Sequence, residues 1–160
     1  MKEEHLFEQM KLWRRWTVEF LRTIPEDVID KIPPGHNNSI RWNAGHILVG
    51  WDNTMFPALN EERQMPLSYH VLFPSGSEPQ HWVEQPPSLE EIINRLEEQP
   101  ILIERACKGH LDDPLKERFL GMGTLGEMLI FHINHENLHM GIIKSMKQVL
   151  VNRSQYNLFN

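Results

Sequence analysis

The chain has 160 residues, 40% of them hydrophobic, which suits one domain (1–160) built around a single core. Its formal charge of −6 and its lack of a basic run argue against a nucleic-acid partner. Cys107 is the only cysteine, which excludes an internal disulfide and a cysteine-rich metal site.

The start lacks the apolar core of a signal peptide, and no apolar run reaches the roughly 18 residues of a membrane span. We therefore expect a cytoplasmic protein that contacts no membrane.

The first segment, 3–24, has the pattern of an amphipathic helix that ends before Pro25, because proline cannot continue it. Its aromatic residues are most simply explained as core or as contacts with a second subunit. The apolar positions recur at helical spacing: Leu6, Met10, Trp13, Phe20, Leu21 and Ile24.

A second helix is predicted over 39–59, with Ser39 as its N-cap. His46 lies on the face that the surrounding apolar residues predict to be buried. Gly45 and Gly50 are each unfavourable in a helix by about 1 kcal/mol relative to alanine. Their presence indicates that another helix comes close at this point or that a ligand needs the room.

The longest irregular segment is 60–87, which holds five of the eleven prolines. A loop of this length within one domain is often functional or contains a short element of its own. Its aromatic and histidine side chains either line an opening over a site or seal the edge of the core, and both explanations stay open. These side chains are Tyr69, His70, Phe73, His81 and Trp82.

A third helix is predicted over 88–108. Ser88 and Glu91 form a capping-box pattern at its start, in which each side chain bonds the other residue's backbone N–H. The apolar period continues across Pro100, so we expect one kinked helix rather than two separate helices. Gly109 is expected to end it.

The fourth helix is predicted over 124–147 and opens with a second capping box, formed by Thr124 and Glu127. The connection before it, 110–123, shows no convincing strand pattern, and neither does any other segment. Together the four helices predict an all-α fold. Its form is an antiparallel four-helix bundle with a long link between helices 2 and 3.

Histidines interrupt the apolar stripe of the fourth helix. His135 and His139 are four residues apart, so both rings lie on one helix face with Cβ atoms about 5–6 Å apart. One metal ion can bind both rings at about 2.0–2.1 Å. His46 is the best candidate for a third ligand, and His132 lies one turn earlier on a similar face. The alternative is that these are core histidines with hydrogen-bonded neighbours.

The two histidines also belong to the sequence HENLH, which matches the H-E-x-x-H pattern of zinc peptidases. In those enzymes the glutamate is the general base and a third ligand normally follows downstream. No His, Asp, Glu or Cys occurs from Met140 to Asn160. Glu136 also lies about 100° around the helix from His135. The sequence therefore disfavours a peptidase.

Three motifs resemble the DinB/YfiT-like family of bacterial four-helix bundles, and the likeness covers nearly the whole chain. The first is WNAGH at 42–46, and the second is FPSGS at 73–77 with PPS at 86–88. The third and most specific is the segment 124–141, which begins TLGEML and ends HENLHMG.

The resemblance implies a metal triad with one histidine from the second helix and two from the fourth: His46, His135 and His139. It also implies zinc or nickel as the ion, a homodimer, and, from characterised relatives, thiol-dependent transfer or isomerisation with a low-molecular-weight thiol. Nitrogen ligands alone would suit zinc, nickel, copper or iron.

Three neutral imidazoles leave a divalent ion with an open position, which is the pattern of catalytic rather than structural zinc sites. Three functions follow from that chemistry. The first is a metal-dependent transferase that delivers a small thiol to an electrophile, the second is a metal-dependent hydrolase, and the third is a non-catalytic metal-binding stress-response protein. The groups that we expect to orient the histidines are Asn43, Asp52, His132 and Glu136.

Overall fold

Four long helices form the antiparallel bundle that the sequence predicts, in a computed structural model that describes residues 2–156. They are α1 (Glu3–Leu21), α2 (Ile40–Asp52), α5 (Leu89–Cys107) and α6 (Leu125–Tyr156). Both α1 and α2 pack against α5 and α6. The buried apolar side chains of the four helices form one core, and His46, His135 and His139 lie where α2 meets α6.

The first two helices are shorter than predicted. Helix α1 ends at Leu21 rather than at residue 24. Before Pro25 the backbone N–H groups bond carbonyls only three residues back, as Ile24 does to Leu21. Helix α2 ends at Asp52 rather than at residue 59. Pro57 has no N–H to continue α2, and a separate short helix, α3 (Met55–Ala58), contains it instead.

The link between α2 and α5 contains a short helix, α4 (Leu67–Leu72), and a single 3-10 turn over Pro79–His81. Asp52, which is completely buried, holds the start of this link. Its carboxylate accepts the backbone N–H groups of Gln64 and Met65, at 2.8 and 3.1 Å. Buried Asp52 therefore fixes the link and does not bond the triad histidines.

Helix α5 continues through Pro100 as the sequence predicts. At its start, the Ser88 hydroxyl accepts the Glu91 N–H at 3.1 Å, while the Glu91 carboxylate instead accepts a hydrogen bond from Tyr69. Cys107, near the helix end, is completely buried, and burial raises the pKa of its thiol to about 12. It acts as a small core residue.

The prediction that 110–123 contains no strand is wrong. Two antiparallel strands, β1 (Pro114–Phe119) and β2 (Met122–Thr124), form a hairpin there. Leu120 and Gly121 connect them with positive φ values of 49° and 89°. A two-residue hairpin turn needs such values to match the right-handed twist of the strands. Charged residues fill the middle of β1 and hide the alternation that would have marked it.

Helix α6 begins as predicted and extends past the predicted end at residue 147 to Tyr156. Both bonds of its capping box are formed at 3.2 Å: Glu127 N–H to the Thr124 hydroxyl, and Thr124 N–H to the Glu127 carboxylate. Within the described part of the chain, no helix combines the length and the apolar content that crossing a bilayer would require.

Candidate metal centre

The structure brings together the three histidines that the sequence singled out. His46 lies on α2, His135 and His139 lie on α6, and one ring nitrogen from each falls within 4.8 Å of the others. The Nε2 atoms of His135 and His139 are 3.2 Å apart. Two imidazole nitrogens bound to one tetrahedral zinc ion would be about 3.3 Å apart, so the α6 pair already has the required spacing.

His46 is oriented by the link between α2 and α5. Its Nδ1 lies 2.8 Å from the carbonyl oxygen of Phe73, which can only accept, so Nδ1 carries the proton and Nε2 keeps its lone pair. Gly45 makes this contact possible, because a Cβ there would lie 2.5 Å from the Phe73 ring. Trp42, one turn earlier, stacks on the His46 ring at 4.6 Å.

His139 is oriented from within α2. Its Nδ1 lies 2.8 Å from Oδ1 of Asn43, whose Nδ2 donates at 2.8 Å to the backbone carbonyl of Ser39. The Ser39 carbonyl therefore fixes the amide so that Oδ1 accepts, and the proton of His139 sits on Nδ1. The Nε2 lone pair of His139 is free, as a metal ligand requires. Asn43 thus has the orienting position that the sequence suggested for it.

His135 completes the group on α6. The ring of Phe131 stacks on it at 5.7 Å, and the ring of His135 lies against the backbone of α2 at Gly50, where a Cβ would be in ordinary van der Waals contact, 3.5 Å from Cε1. Since Nε2 of His139 offers a lone pair, the neighbouring Nε2 of His135 must share either a proton or a cation with it. The donor set therefore fits a divalent ion.

Burial keeps the three rings neutral. It lowers the pKa of His46, and it lowers that of His139 to about 3, with smaller contributions from the neighbouring histidines. Burial, and then the proximity of His46, also lowers the pKa of His135. His139 is buried, whereas His46 and His135 are partly exposed, so solvent reaches one side of the group. Neutral rings bind a metal without first losing a proton.

Glu136, the glutamate of the HENLH segment, points away from the triad. It is 1% exposed and accepts hydrogen bonds from Arg14, Thr17 and Trp51. A carboxylate held in this way cannot serve as the general base of a peptidase. The structure agrees with the sequence argument against that enzyme class, and it also rules out direct orientation of the triad histidines by this carboxylate.

His132 lies behind the triad and is 2% exposed. Its Nε2 is 2.6 Å from the Thr54 hydroxyl, while its Nδ1 has no hydrogen-bond partner among the described residues. Burial lowers its pKa to about 3. Its ring packs against Trp51 and Phe119 rather than among the converging nitrogens.

The side chains of the link mostly seal the core, which decides between the two explanations left open by the sequence. Tyr69 and Phe73 are buried, and Trp82 packs edge-on against Phe73. His70 bonds to Asp52 at 2.9 Å. The Phe73 carbonyl was missed because a backbone acceptor leaves no mark in a sequence. Trp42 was also missed, although its spacing of four residues from His46 would have indicated the stacking.

A search of curated proteins found no match to this sequence. The sequence model of a protein family, the DinB superfamily, in contrast matches residues 9–143. That match covers most of the chain and includes all three histidines of the triad. It agrees with the four-helix bundle and with the resemblance of the three sequence motifs. The chain belongs to the DinB superfamily.

Proposed function

We propose that the protein is a metal-dependent transferase that holds zinc or nickel on His46, His135 and His139 and moves a small thiol to an electrophile. One observation carries the proposal: ring nitrogens with free lone pairs converge from two helices. His46 and His139 each give their Nδ1 proton to a protein oxygen, which directs their Nε2 atoms to a common ligand.

The three histidines leave room for an exogenous ligand. Structural zinc sites normally have four protein ligands, whereas three ligands with an open position are typical of catalytic sites. The partial exposure of His46 and His135 gives a small molecule access from one side. The buried Trp42 ring stacks on His46 and holds that ring in place.

A bound divalent ion would supply Lewis acidity that lowers the pKa of a coordinated thiol. In the proposed transfer, the thiol proton passes to solvent, the sulfur forms a bond to the substrate, and the leaving group departs with its bonding electrons. The protein keeps the three rings neutral. Asn43 holds the proton of His139 on Nδ1, and the Phe73 carbonyl does the same for His46.

A thiol is favoured over water because the nearby carboxylates are occupied. Glu136 is bound to Arg14, and Asp52 holds the link between α2 and α5. A free thiol has a pKa of about 8.5, against about 15.7 for water, so it needs less help to ionise. A hydrolase would gain more from a carboxylate base than a thiol transferase does.

A non-catalytic role is the second candidate, and the position of the ligands favours it. An ion on His46 of α2 and on His135 and His139 of α6 would tie together two helices that are far apart in the sequence. Metal would then stabilise the fold without turnover.

The first experiment is elemental analysis of protein purified without a metal-affinity tag. We expect about one divalent ion per chain. The metal-loaded protein would next be incubated with several biological thiols and a chromogenic electrophile, and thiol loss would be followed by absorbance. Acceleration that requires both metal and thiol supports the transferase. Hydrolysis without thiol supports the hydrolase, and strong thermal stabilisation without any turnover supports the non-catalytic role.

We also propose that the protein forms a homodimer through α1. Trp16 is 45% exposed and packs edge-on against Trp13, which leaves a large aromatic surface facing solvent. Light scattering of the wild type and of Trp16→Glu tests this proposal. A monomeric wild type would contradict it.

A further inference from the structure

A buried polar cluster lies in the centre of the bundle, on a different face of α6 from the triad. Arg14 of α1, Gln99 of α5 and Glu136 of α6 form it, and each is 2% exposed or less. Trp51 of α2 joins them through its indole N–H, which donates to Glu136 at 3.1 Å. The cluster therefore links all four long helices.

The carboxylate of Glu136 has no free acceptor direction. Arg14 donates to both of its oxygens, from Nε to Oε1 at 2.9 Å and from Nη2 to Oε2 at 3.0 Å. The Thr17 hydroxyl donates to Oε1 at 2.8 Å, and Trp51 donates to Oε2. Four donors from two helices thus hold this one side chain of α6, and together they fill the roughly four acceptor sites of a carboxylate.

The guanidinium of Arg14 is satisfied as well. Its Nη1 donates to the carbonyl oxygen of Leu96 at 2.8 Å, and Nη1 and Nη2 both donate to Oε1 of Gln99 at 3.2 Å. The Leu96 carbonyl is available because Pro100, four residues later, has no N–H to bond it. Gln99 in turn donates from Nε2 to the Leu48 carbonyl of α2 at 2.9 Å.

Stability alone is a weak reason for such a cluster, because a buried ion pair can often be replaced by well-packed apolar residues without loss. What a fully bonded cluster does achieve is a single geometry. Glu136 can satisfy its four donors at one rotation of α6 about its axis. Any other rotation would leave a buried charge without a partner, which is strongly unfavourable.

We infer that Glu136 is a positioning residue for the metal triad, which it serves by fixing the rotation of α6; this inference rests on the proposed metal site. Glu136 lies about 100° from His135 and about 60° from His139 around the helix. A rotation of about 10° moves a side-chain tip 5–6 Å from the helix axis by about 1 Å. Metal–ligand distances vary by only about 0.2 Å around their preferred values. The rotation of α6 about its axis must therefore be fixed to much better than about 10°.

The test is Glu136→Asp, which keeps the charge and shortens the side chain by one methylene. The aspartate can meet its four donors only if α6 moves. Zinc affinity would be measured by competition with a chromophoric chelator, and the visible spectrum of the cobalt-substituted protein would report the ligand geometry. We expect zinc binding at least about 10-fold weaker, with a changed cobalt spectrum and unchanged helical circular dichroism.

Two matched variants separate positioning from general destabilisation. Glu97→Asp makes the same change to an exposed carboxylate of α5, which pairs at 2.9 Å with Arg22, the residue that follows α1. Ile103→Val removes a methyl group from a completely buried position on α5. Both should leave the zinc affinity and the cobalt spectrum unchanged, although Ile103→Val should lower the melting temperature.

The outcomes are distinct. A folded Glu136→Asp variant that binds zinc as tightly as the wild type, with the same cobalt spectrum, overturns the inference and leaves the metal site intact. A wild type that binds no metal removes the proposed function and this inference together. Should Glu136→Asp not fold, Thr17→Val removes one bond to the same carboxylate and keeps the ion pair. We then expect weaker zinc binding than in the wild type, by less than the about 10-fold expected for Glu136→Asp, and unchanged affinity would overturn the inference.

Discussion

Two polar clusters lie on adjacent faces of α6 and differ in how completely the protein satisfies them. In the buried cluster, every N–H group of Arg14 and both oxygens of Glu136 have protein partners. In the triad, protein acceptors occupy only the outer nitrogens of His46 and His139, and their inner nitrogens point to a common centre. The triad is therefore the cluster whose donors fit a metal ion.

The difference also explains the HENLH segment. Its two histidines belong to the open triad, whereas Glu136 belongs to the closed cluster. In a zinc peptidase the same three residue types act on one metal ion. Here the direction of each side chain, rather than the order of residues in the sequence, separates the candidate metal site from a structural cluster.

Removal of Arg14 tests the closed cluster and should have the largest effect. Arg14→Met leaves the Glu136 carboxylate buried without its charged partner, which typically costs about 3–5 kcal/mol. The free energy of unfolding would be measured by urea denaturation. Arg22→Met, at the residue that follows α1, is the matched control, because the Arg22–Glu97 pair is exposed and its loss should be barely measurable. Equal effects of the two variants would contradict a cluster closed to solvent.

Removal of one triad histidine tests the open cluster. We expect His139→Ala to weaken zinc binding more than about 100-fold. Loss of a residue that only orients a ligand typically weakens binding about 10–100-fold. His81→Ala is the control, because that side chain is 73% exposed and lies outside the triad. Calorimetric titration of both variants would measure the affinities. Wild-type affinity in His139→Ala would show that the triad is not the metal site.

The residue behind His139 should matter less than the ligand itself. Asn43→Ala removes the acceptor of the His139 Nδ1 proton, and we expect about 10-fold weaker zinc binding. Asn134→Ala is the matched change on α6, where an exposed amide bonds only the Ile130 carbonyl of its own helix. If both variants bind zinc equally well, the orientation of His139 does not depend on Asn43.

Most of the bundle could be predicted because its signals are local. The apolar period and the Thr124–Glu127 capping box placed the start of α6 correctly. The hairpin over Pro114–Thr124 could not be predicted in this way, since three charged residues occupy the middle of β1. The early end of α2 depends on Pro57, five residues beyond it, whose effect on the helix was overlooked.

The candidate site shows the same division. The spacing of His135 and His139 and the WNAGH motif pointed to the three residues that the structure brings together, although their role as ligands stays a prediction. The groups that orient them are distant in the sequence: Phe73 is 27 residues from His46, and Asn43 is 96 residues from His139. No local pattern records such contacts, because they arise only when the helices pack.

His132 lies between the two clusters and gives the smallest predicted effect. Burial, followed by the proximity of His135 and of Arg14, lowers its pKa from 6.5 to about 3 in the folded chain. Between pH 7 and pH 6 the unfolded chain takes up protons at this residue and the folded chain does not, so stability falls as the pH falls. The metal-free wild type should therefore lose about 0.7 kcal/mol through this residue over that interval.

His132→Phe removes the titrating group and keeps an aromatic ring beside Trp51 and Phe119. Urea denaturation of the metal-free protein at pH 7 and at pH 6 should then show a pH dependence smaller by about 0.7 kcal/mol. An unchanged pH dependence in His132→Phe would mean that His132 takes up protons equally in the folded and the unfolded chain, so that burial does not lower its pKa.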